Sequence, residues 1–131
     1  MSIFNANTGN MTTEPVEHQL QFNVTTYVDM VQNNSRYIRD LNLVVIDIVV
    51  NLKKAPFDAN VWYAAAGFDD KWMPFRPKAL AASSVLTNDN HFEAILDSNT
   101  NVIFIKSNTQ VTSSQNLSIT GTYFLDWCLI A

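Results

Sequence analysis

The segment Leu41–Lys53 constrains the fold more than any other part of the chain. Apolar residues alternate with other residues along it, yet in its middle both alternating sets are largely apolar. Period-two alternation rich in Val and Ile predicts a β-strand. A strand with one face in water does not need two apolar faces. We therefore expect a central strand that is covered on one side by a second sheet and on the other by something else, such as a partner subunit.

Shorter segments with the same alternation recur along the chain, and turn-forming residues separate them. Besides Leu41–Lys53, the predicted strands are His18–Met30, Val61–Phe68, Lys78–Leu86, His91–Leu96, Val102–Lys106 and Leu117–Ala131, and a further strand begins near Arg36–Asp40. Turns or loops are predicted at Met30–Ser35, Ala55–Asn60, Thr87–Asn90, Asp97–Asn101 and Ser107–Gln115. No segment has a sustained period of 3.6 residues. The sequence therefore predicts an all-β protein, an antiparallel β-sandwich or barrel.

A length of 131 residues suits one domain with a core of its own. Residues 1–17 are polar and carry few structural cues, so we predict an arm or connector there. This arm is either a disordered start or an attachment to a neighbouring protein. Residues 18–131 are predicted to form the single β-domain.

The chain ends on an apolar run, Trp127–Ala131. Chain ends fray into water unless packing holds them. We therefore expect a terminal strand that is sealed in a core or in an oligomer interface. Together with the two apolar faces of Leu41–Lys53, this end favours a close-packed homo-oligomer.

The segment Val61–Ala82 joins two predicted strands through an unusual connection. An aromatic strand leads into an acidic loop at Asp69–Asp70, then into Trp72 and two prolines, Pro74 and Pro77. Prolines fix the backbone, and the small residues after them allow close approach of another backbone. We predict a rigid corner between two sheets.

Charge and hydropathy exclude two classes of partner. Charged residues make up 15% of the chain, the net charge is −4, and no basic cluster exceeds Lys53–Lys54. Duplex nucleic acid requires a dense basic face, so we expect no nucleic-acid partner. No segment reaches the ~18 apolar residues that span a bilayer, so we expect no membrane insertion. The first residues lack the features of a secretory signal; if the protein acts outside a cell, release by lysis would explain it.

Catalytic and metal-binding patterns are weak in this sequence. His18 and His91 have no Cys or His partner at metal-ligand spacing. Cys128 lies in an apolar run, where a thiol is typical of inert packing. The paired carboxylates Asp69–Asp70 supply too few oxygens for calcium by themselves. We predict no enzyme activity, no metal and no cofactor.

Aromatic residues beside polar loops favour ligand binding instead. Sugar rings stack their apolar faces on Trp and Tyr, while carboxylates and amides bind the hydroxyl groups. The alternative is that each aromatic residue fills the core. The candidate ligand-binding residues are Trp62, Tyr63, Asp69, Asp70, Trp72 and His91.

One arrangement of motifs resembles a known family. It consists of the strand LVVIDIVV, an Asn-Val-Trp strand, a P-x-x-P corner at Pro74–Pro77, an alternating strand, a hairpin, and a closing G-x-Y strand at Gly121–Tyr123. This order over Arg36–Ala131 resembles the C-terminal head domains of phage tail-tip and baseplate receptor-binding proteins. The resemblance implies a jelly-roll-like barrel akin to the tumour-necrosis-factor and C1q fold, a homotrimer, and recognition of host cell-surface saccharide. Heads of that family follow a longer N-terminal part than the one here.

Two functions follow as expectations. The first is a virion-associated receptor-binding module, in the phage tail or on the virion surface and acting outside the cell, with saccharide sites in clefts between subunits. The second is a purely structural virion protein without a small ligand, such as a fibre connector, a decoration protein or a capsid jelly roll. In both, residues 1–17 contact other virion proteins.

Overall fold

The computed structural model describes residues 16–85 and 92–125. The described part contains ten β-strands and two single-turn 3₁₀ helices, at Arg39–Leu41 and Asp70–Trp72. The strands are β1 (Glu17–Gln19), β2 (Asn23–Val24), β3 (Asp29–Asn33), β4 (Arg36–Ile38), β5 (Leu43–Asn51), β6 (Tyr63–Gly67), β7 (Lys78–Ser84), β8 (Phe92–Asp97), β9 (Val102–Ser107) and β10 (Asn116–Phe124). The prediction of an all-β protein is confirmed.

All strand pairs are antiparallel, and the order is β1-β4-β5-β10-β7-β8-β9-β6-β2, with β3 beside β4 on the same edge of β5. β5 pairs with β10 along nine residues on one side and with β3 and β4 on the other. Leu41–Lys53 therefore contains an interior strand of the sheet, as predicted.

Two segments change neighbours along their length and so curl the sheet. In β7, Lys78–Leu80 pairs with β8, whereas Ala81–Ser84 pairs with β10. In the same way, β1 pairs with β4 at one end of the sheet, and β2, four residues later, pairs with β6 at the other end. The result is a curled antiparallel sheet that encloses a core, which confirms the predicted sandwich or barrel architecture.

The core lies inside the curl and follows the period of two. Val44, Ile46, Ile48 and Val50 of β5 are fully buried, and they face Leu117 and Ile119 on β10 and the inner residues of β8 and β9. Burying each of these side chains stabilises the fold by roughly 1.5–3 kcal/mol. The alternate set on β5 is only half-buried within the single chain. The described residues leave this outer face half-buried, so its cover by a partner subunit stays a prediction.

The prediction of one strand over His18–Met30 is wrong. The structure has β1, β2 and the start of β3 there, separated by residues that cross from one sheet edge to the other. Backbone hydrogen bonds hold the crossing at both ends, from Leu20 N to Ser35 O and from Thr25 N to Ala65 O, each 3.0 Å. Local alternation cannot reveal such a crossing, because both edges accept the same strand geometry.

The predicted turn at Met30–Ser35 is also wrong in extent. Asp29–Asn33 forms β3 and pairs with β5, with a bulge between Met30 and Gln32. Long-range pairing outweighs the local turn preference of the amides here. Asn33 nevertheless acts as a turn residue, because its side chain donates to Leu20 O (2.7 Å) and accepts from Ser35 N (3.0 Å).

The other predicted strands and loops that are described begin and end within one to two residues of the prediction, except that β4 is a strand of its own and that β10 ends at Phe124, whereas the prediction runs to Ala131. The predicted arm except for its last two residues, the turn Thr87–Asn90, His91 and the apolar end Trp127–Ala131 lie outside the described residues. In the part of the chain that is described, no helix is long and apolar enough to cross a membrane.

Candidate functional site

The connection Asp69–Pro77, hereafter the corner, borders three depressions of the surface. The largest, the corner groove, has a volume of about 910 Å³ and is lined by Tyr37, the corner residues 70–75, and Ser98, Asn99 and Asn101 of the β8–β9 loop. The corner joins β6 to β7, which belong to one curled sheet and not to the two sheets that the sequence predicts. It also brings polar loop residues opposite Trp72.

Trp72 packs inward more than it faces the groove. Its ring lies 4.6 Å from the ring of Tyr37 and 6.0 Å from that of His18, measured between centroids. The ammonium of Lys71 lies 4.9 Å from the centre of the same ring. Trp72 is therefore half-buried and mainly holds the corner against β1 and β4.

The two acidic residues of the corner have different roles. Asp69 caps the single 3₁₀ turn, because its Oδ1 accepts from Lys71 N (3.1 Å). Asp70 is exposed and lines the corner groove. Of the pair, Asp70 is the one whose carboxylate is available to a ligand.

Trp62 lies on a second surface, on the outer face of the β6–β9–β8 side of the sheet. We call this the Trp62 surface; it consists of Trp62, Pro77, Ile95, Asp97 and Phe104 and encloses about 300 Å³. Ile95 and Phe104 are directly opposite each other on β8 and β9. Trp62 itself is 43% exposed. The surface is a mostly apolar platform with one carboxylate at its edge.

A charged pair flanks this platform. Lys106 Nζ lies 3.6 Å from Glu93 Oε2, its cross-strand neighbour, and 4.8 Å from the centre of the Trp62 ring. The ammonium lies over one face of the indole. The Trp62 surface therefore combines a partly exposed aromatic ring with charged groups at its margin.

Tyr63 does not share the platform with Trp62. Neighbouring residues of a strand point to opposite faces, and Tyr63 turns towards Phe57 and Tyr27, with ring centroids 4.6 and 5.2 Å away. Its hydroxyl accepts a hydrogen bond from Asp58 N (2.9 Å). Tyr63 closes the end of the core rather than contacting the Trp62 surface.

The predicted residues thus separate into two neighbouring sites and one core position. Asp70 and Trp72 belong to the corner groove, Trp62 belongs to the platform, and the β8–β9 loop borders both through Asp97 and Asn99. His91 lies outside the described residues.

Phe104, Ile95 and Lys106 were not predicted as site residues. Their signal is present in the sequence, because Val102, Phe104 and Lys106 alternate with the buried Ile103 and Ile105. On the outer face of β9, Phe104 becomes informative only together with Trp62 and Ile95, because contiguous apolar residues and not single ones mark a binding surface.

Two observations concern the chemical groups of the described residues. They contain no group of three or more His, Cys, Asp or Glu side chains that could bind a metal. Burial raises the pKa of the Tyr123 hydroxyl well above its usual range, so this group stays protonated.

Comparison with protein-family models, with curated proteins and with solved structures finds no match to this chain.

Proposed function

We propose that the protein is a non-catalytic binding module that recognises saccharide through the Trp62 surface. The observation that supports this most directly is the exposed indole of Trp62 beside Phe104 on the outer strand face. The β8–β9 ladder holds Ile95 and Phe104, and Trp62 immediately precedes β6, so most of the platform is preformed before a ligand arrives. A preformed aromatic face loses little entropy on binding.

The chemistry of the platform suits a pyranose ring. One face of a sugar carries C–H groups that can stack on the face of the indole that Lys106 does not cover. Its hydroxyl groups would then reach Asp97 and the Lys106–Glu93 pair at the margin. Hydrogen bonds to charged groups are the stronger ones, so these residues would set the orientation of the ring.

The wider biological proposal is a receptor-binding component of a virion, in the tail or on the surface. It acts outside the cell on host cell-surface saccharide, and it assembles as a homotrimer. Support comes from the curled β-architecture and from large apolar side chains exposed in the single chain, among them Leu41 at 57% and Phe124 at 63%. Such side chains favour subunit contacts.

The test of saccharide binding compares Trp62→Ala and Trp62→Phe with the wild-type protein. Binding to immobilised neutral oligosaccharides and to bacterial cell-wall preparations is measured by biolayer interferometry. We expect at least a ~5-fold loss for Trp62→Ala, since stacking on one aromatic ring contributes ~1 kcal/mol or more. Trp62→Phe should retain part of the affinity.

Val31→Ala is the matched control, because Val31 is an exposed apolar residue on β3, in the other half of the sheet. It should bind like the wild type. Absence of binding to every preparation, or equal binding by Trp62→Ala, would overturn the saccharide proposal. Light scattering checks the trimer, and a monomer at micromolar concentration would contradict it.

The second candidate is a structural virion protein without a small ligand. The half-buried outer face of β5 with Phe124 beside it favours this role, because protein partners cover such faces. Its test removes residues 1–15, which leaves β1 intact. Loss of assembly with an unchanged circular dichroism spectrum supports this candidate, and unchanged assembly contradicts it.

A further inference from the structure

A cleft opens where β7 and β10 separate. The two strands pair only from Ala81 to Ser84, whereas β10 continues along β5 as far as Phe124. Beyond the last shared pair, the corner leads away from β10 and leaves a depression of about 450 Å³. Its lining consists of Leu43, Pro74, Arg76, Pro77, Lys78, Thr122, Tyr123 and Phe124.

The charge of this cleft is opposite to that of the chain. Arg76 and Lys78 line it, and no acidic residue does, although the whole chain has a net charge of −4. Four other basic residues in the described part, Arg36, Arg39, Lys53 and Lys106, each lie within 4.0 Å of a carboxylate. Within the same part, no ion pair to Arg76 or Lys78 is present.

Lys78 lies at the edge of the core. It occupies the strand register of Leu80, whose side chain is buried, and it is itself half-exposed. A lysine in this position packs its methylene groups on apolar surface and keeps its ammonium group within reach of water and of a ligand. Arg76, two residues earlier, is exposed at the mouth of the same cleft.

We propose that this cleft binds an oxyanion, the carboxylate or phosphate group of a ligand. A guanidinium group can bind either one through two parallel hydrogen bonds, and an ammonium group adds a second charge. The Thr122 hydroxyl supplies a further donor. Leu43 and Phe124 form an apolar wall beside these groups, so an apolar or ring-shaped body attached to the oxyanion fits the cleft.

This site is separate from the Trp62 surface, although Pro77 borders both. The proposal therefore does not depend on saccharide binding. Trp62→Ala should leave oxyanion binding unchanged, so failure of one proposal is distinguishable from failure of the other.

The test is a titration of the ¹⁵N-labelled protein followed by amide chemical shifts. Sodium phosphate and sodium acetate are added in separate arms, and sodium chloride keeps the ionic strength constant because screening alone shifts surface signals. We expect saturable shifts at Lys78, Thr122 and Phe124. The arm that saturates at the lower concentration identifies the preferred oxyanion.

Variants decide whether the two cations form the site. Arg76→Gln and Lys78→Gln should each weaken binding, and the double variant should weaken it at least ~10-fold, as expected for loss of charge-assisted hydrogen bonds. Lys54→Gln is the control, because it removes an exposed lysine from a turn elsewhere. Shifts that rise linearly without saturation in both arms, or that persist in the double variant, would overturn the proposal.

Discussion

The hydroxyl group of Tyr123 donates a hydrogen bond to the backbone carbonyl oxygen of Trp72. These residues are 51 positions apart, and the bond joins β10 to the corner. Tyr123 is itself buried, with its ring in the core. The bond therefore fixes the wall that separates the corner groove from the cleft between β7 and β10.

Tyr123→Phe should lower the free energy of unfolding by about 1 kcal/mol. The ring still fills its place, but the hydrogen bond is lost and the Trp72 carbonyl loses a partner. Urea unfolding measures the change. Tyr27→Phe is the matched control, because Tyr27 is an exposed tyrosine packed edge-on against Phe57. A loss in Tyr27→Phe equal to that in Tyr123→Phe would contradict a special role for Tyr123.

Stability at alkaline pH should also depend on Tyr123. Burial raises the pKa of its hydroxyl in the folded state, so above the usual pKa of about 10 the unfolded chain loses this proton first. The stabilisation is complete below about pH 10 and is lost as pH rises beyond it, by up to ~1.4 kcal/mol per pH unit for one proton. Unfolding from pH 8 to 11 measures the slope. In Tyr123→Phe the slope should be smaller by one proton; an unchanged slope would exclude Tyr123 as its source.

Replacement of Asn42 by alanine or by glycine should lower the free energy of unfolding. It adopts a left-handed conformation with φ of 52°, accepts from the Tyr37 hydroxyl (2.9 Å) and donates to Leu125 O (2.8 Å). Asn42→Ala should cost about 2–4 kcal/mol, from backbone strain and lost hydrogen bonds. Asn42→Gly loses the same bonds without the strain, so it should be ~1 kcal/mol less harmful. Thermal unfolding compares the two, and equal losses would contradict the strain component.

Much of the fold could be predicted from local signals. Period-two alternation located β5 through β9 and the start of β10 to within one or two residues, because each has one face in the core. The predicted loops contain Asn60 and Asn101, both at positive φ, which is where asparagine is favoured. The first three strands could not be predicted, since long-range hydrogen bonds, such as the one from Thr25 Oγ1 to Ala64 O (2.7 Å), determine where they break.

The candidate site could be predicted only in part. The aromatic pair Trp62–Tyr63 beside the acidic turn makes Trp62 a candidate, and the turn itself makes Asp70 one. Which tryptophan is the more exposed does not follow from the sequence, because Trp72 in its loop looks the better placed and yet packs on Tyr37. The sequence does not show that Trp72 packs on Tyr37, nor that Lys106 covers Trp62, because both contacts join residues more than 30 positions apart. Partners across strands depend on register, and register is a property of the assembled sheet.

The fold should require glycine at position 121, because a larger side chain there would overlap Leu80. A Cβ atom built on Gly121 would overlap a terminal methyl carbon of Leu80, Cδ2, and Leu80 is buried. Gly121→Ala should therefore cost about 1–3 kcal/mol through overpacking. Leu80→Ala alone should cost about 2–5 kcal/mol through a cavity.

The double variant tests this contact directly. In Leu80→Ala the space for a methyl group is free, so adding Gly121→Ala should cost clearly less than it does in the wild type, and a thermodynamic cycle gives the coupling. Urea unfolding of the four proteins supplies the values. Additive losses would show that Gly121 is needed for a reason other than the Leu80 contact.

The Lys106–Glu93 pair should contribute to ligand binding rather than to stability. Glu17–Arg36 provides a matched comparison, since in both pairs the nitrogen and oxygen atoms are 3.6 Å apart and the carboxylate is about 60% exposed. Exposed pairs of this kind stabilise a fold by under ~1 kcal/mol. Glu93→Gln and Glu17→Gln should therefore both leave urea unfolding nearly unchanged.

Only Glu93→Gln releases the ammonium that covers Trp62, so only this variant should shift the indole Nε1–H signal of Trp62 in the NMR spectrum. It should also weaken saccharide binding several-fold. Equal spectra and equal binding for the two variants would show that the charged pair has no part in the Trp62 surface.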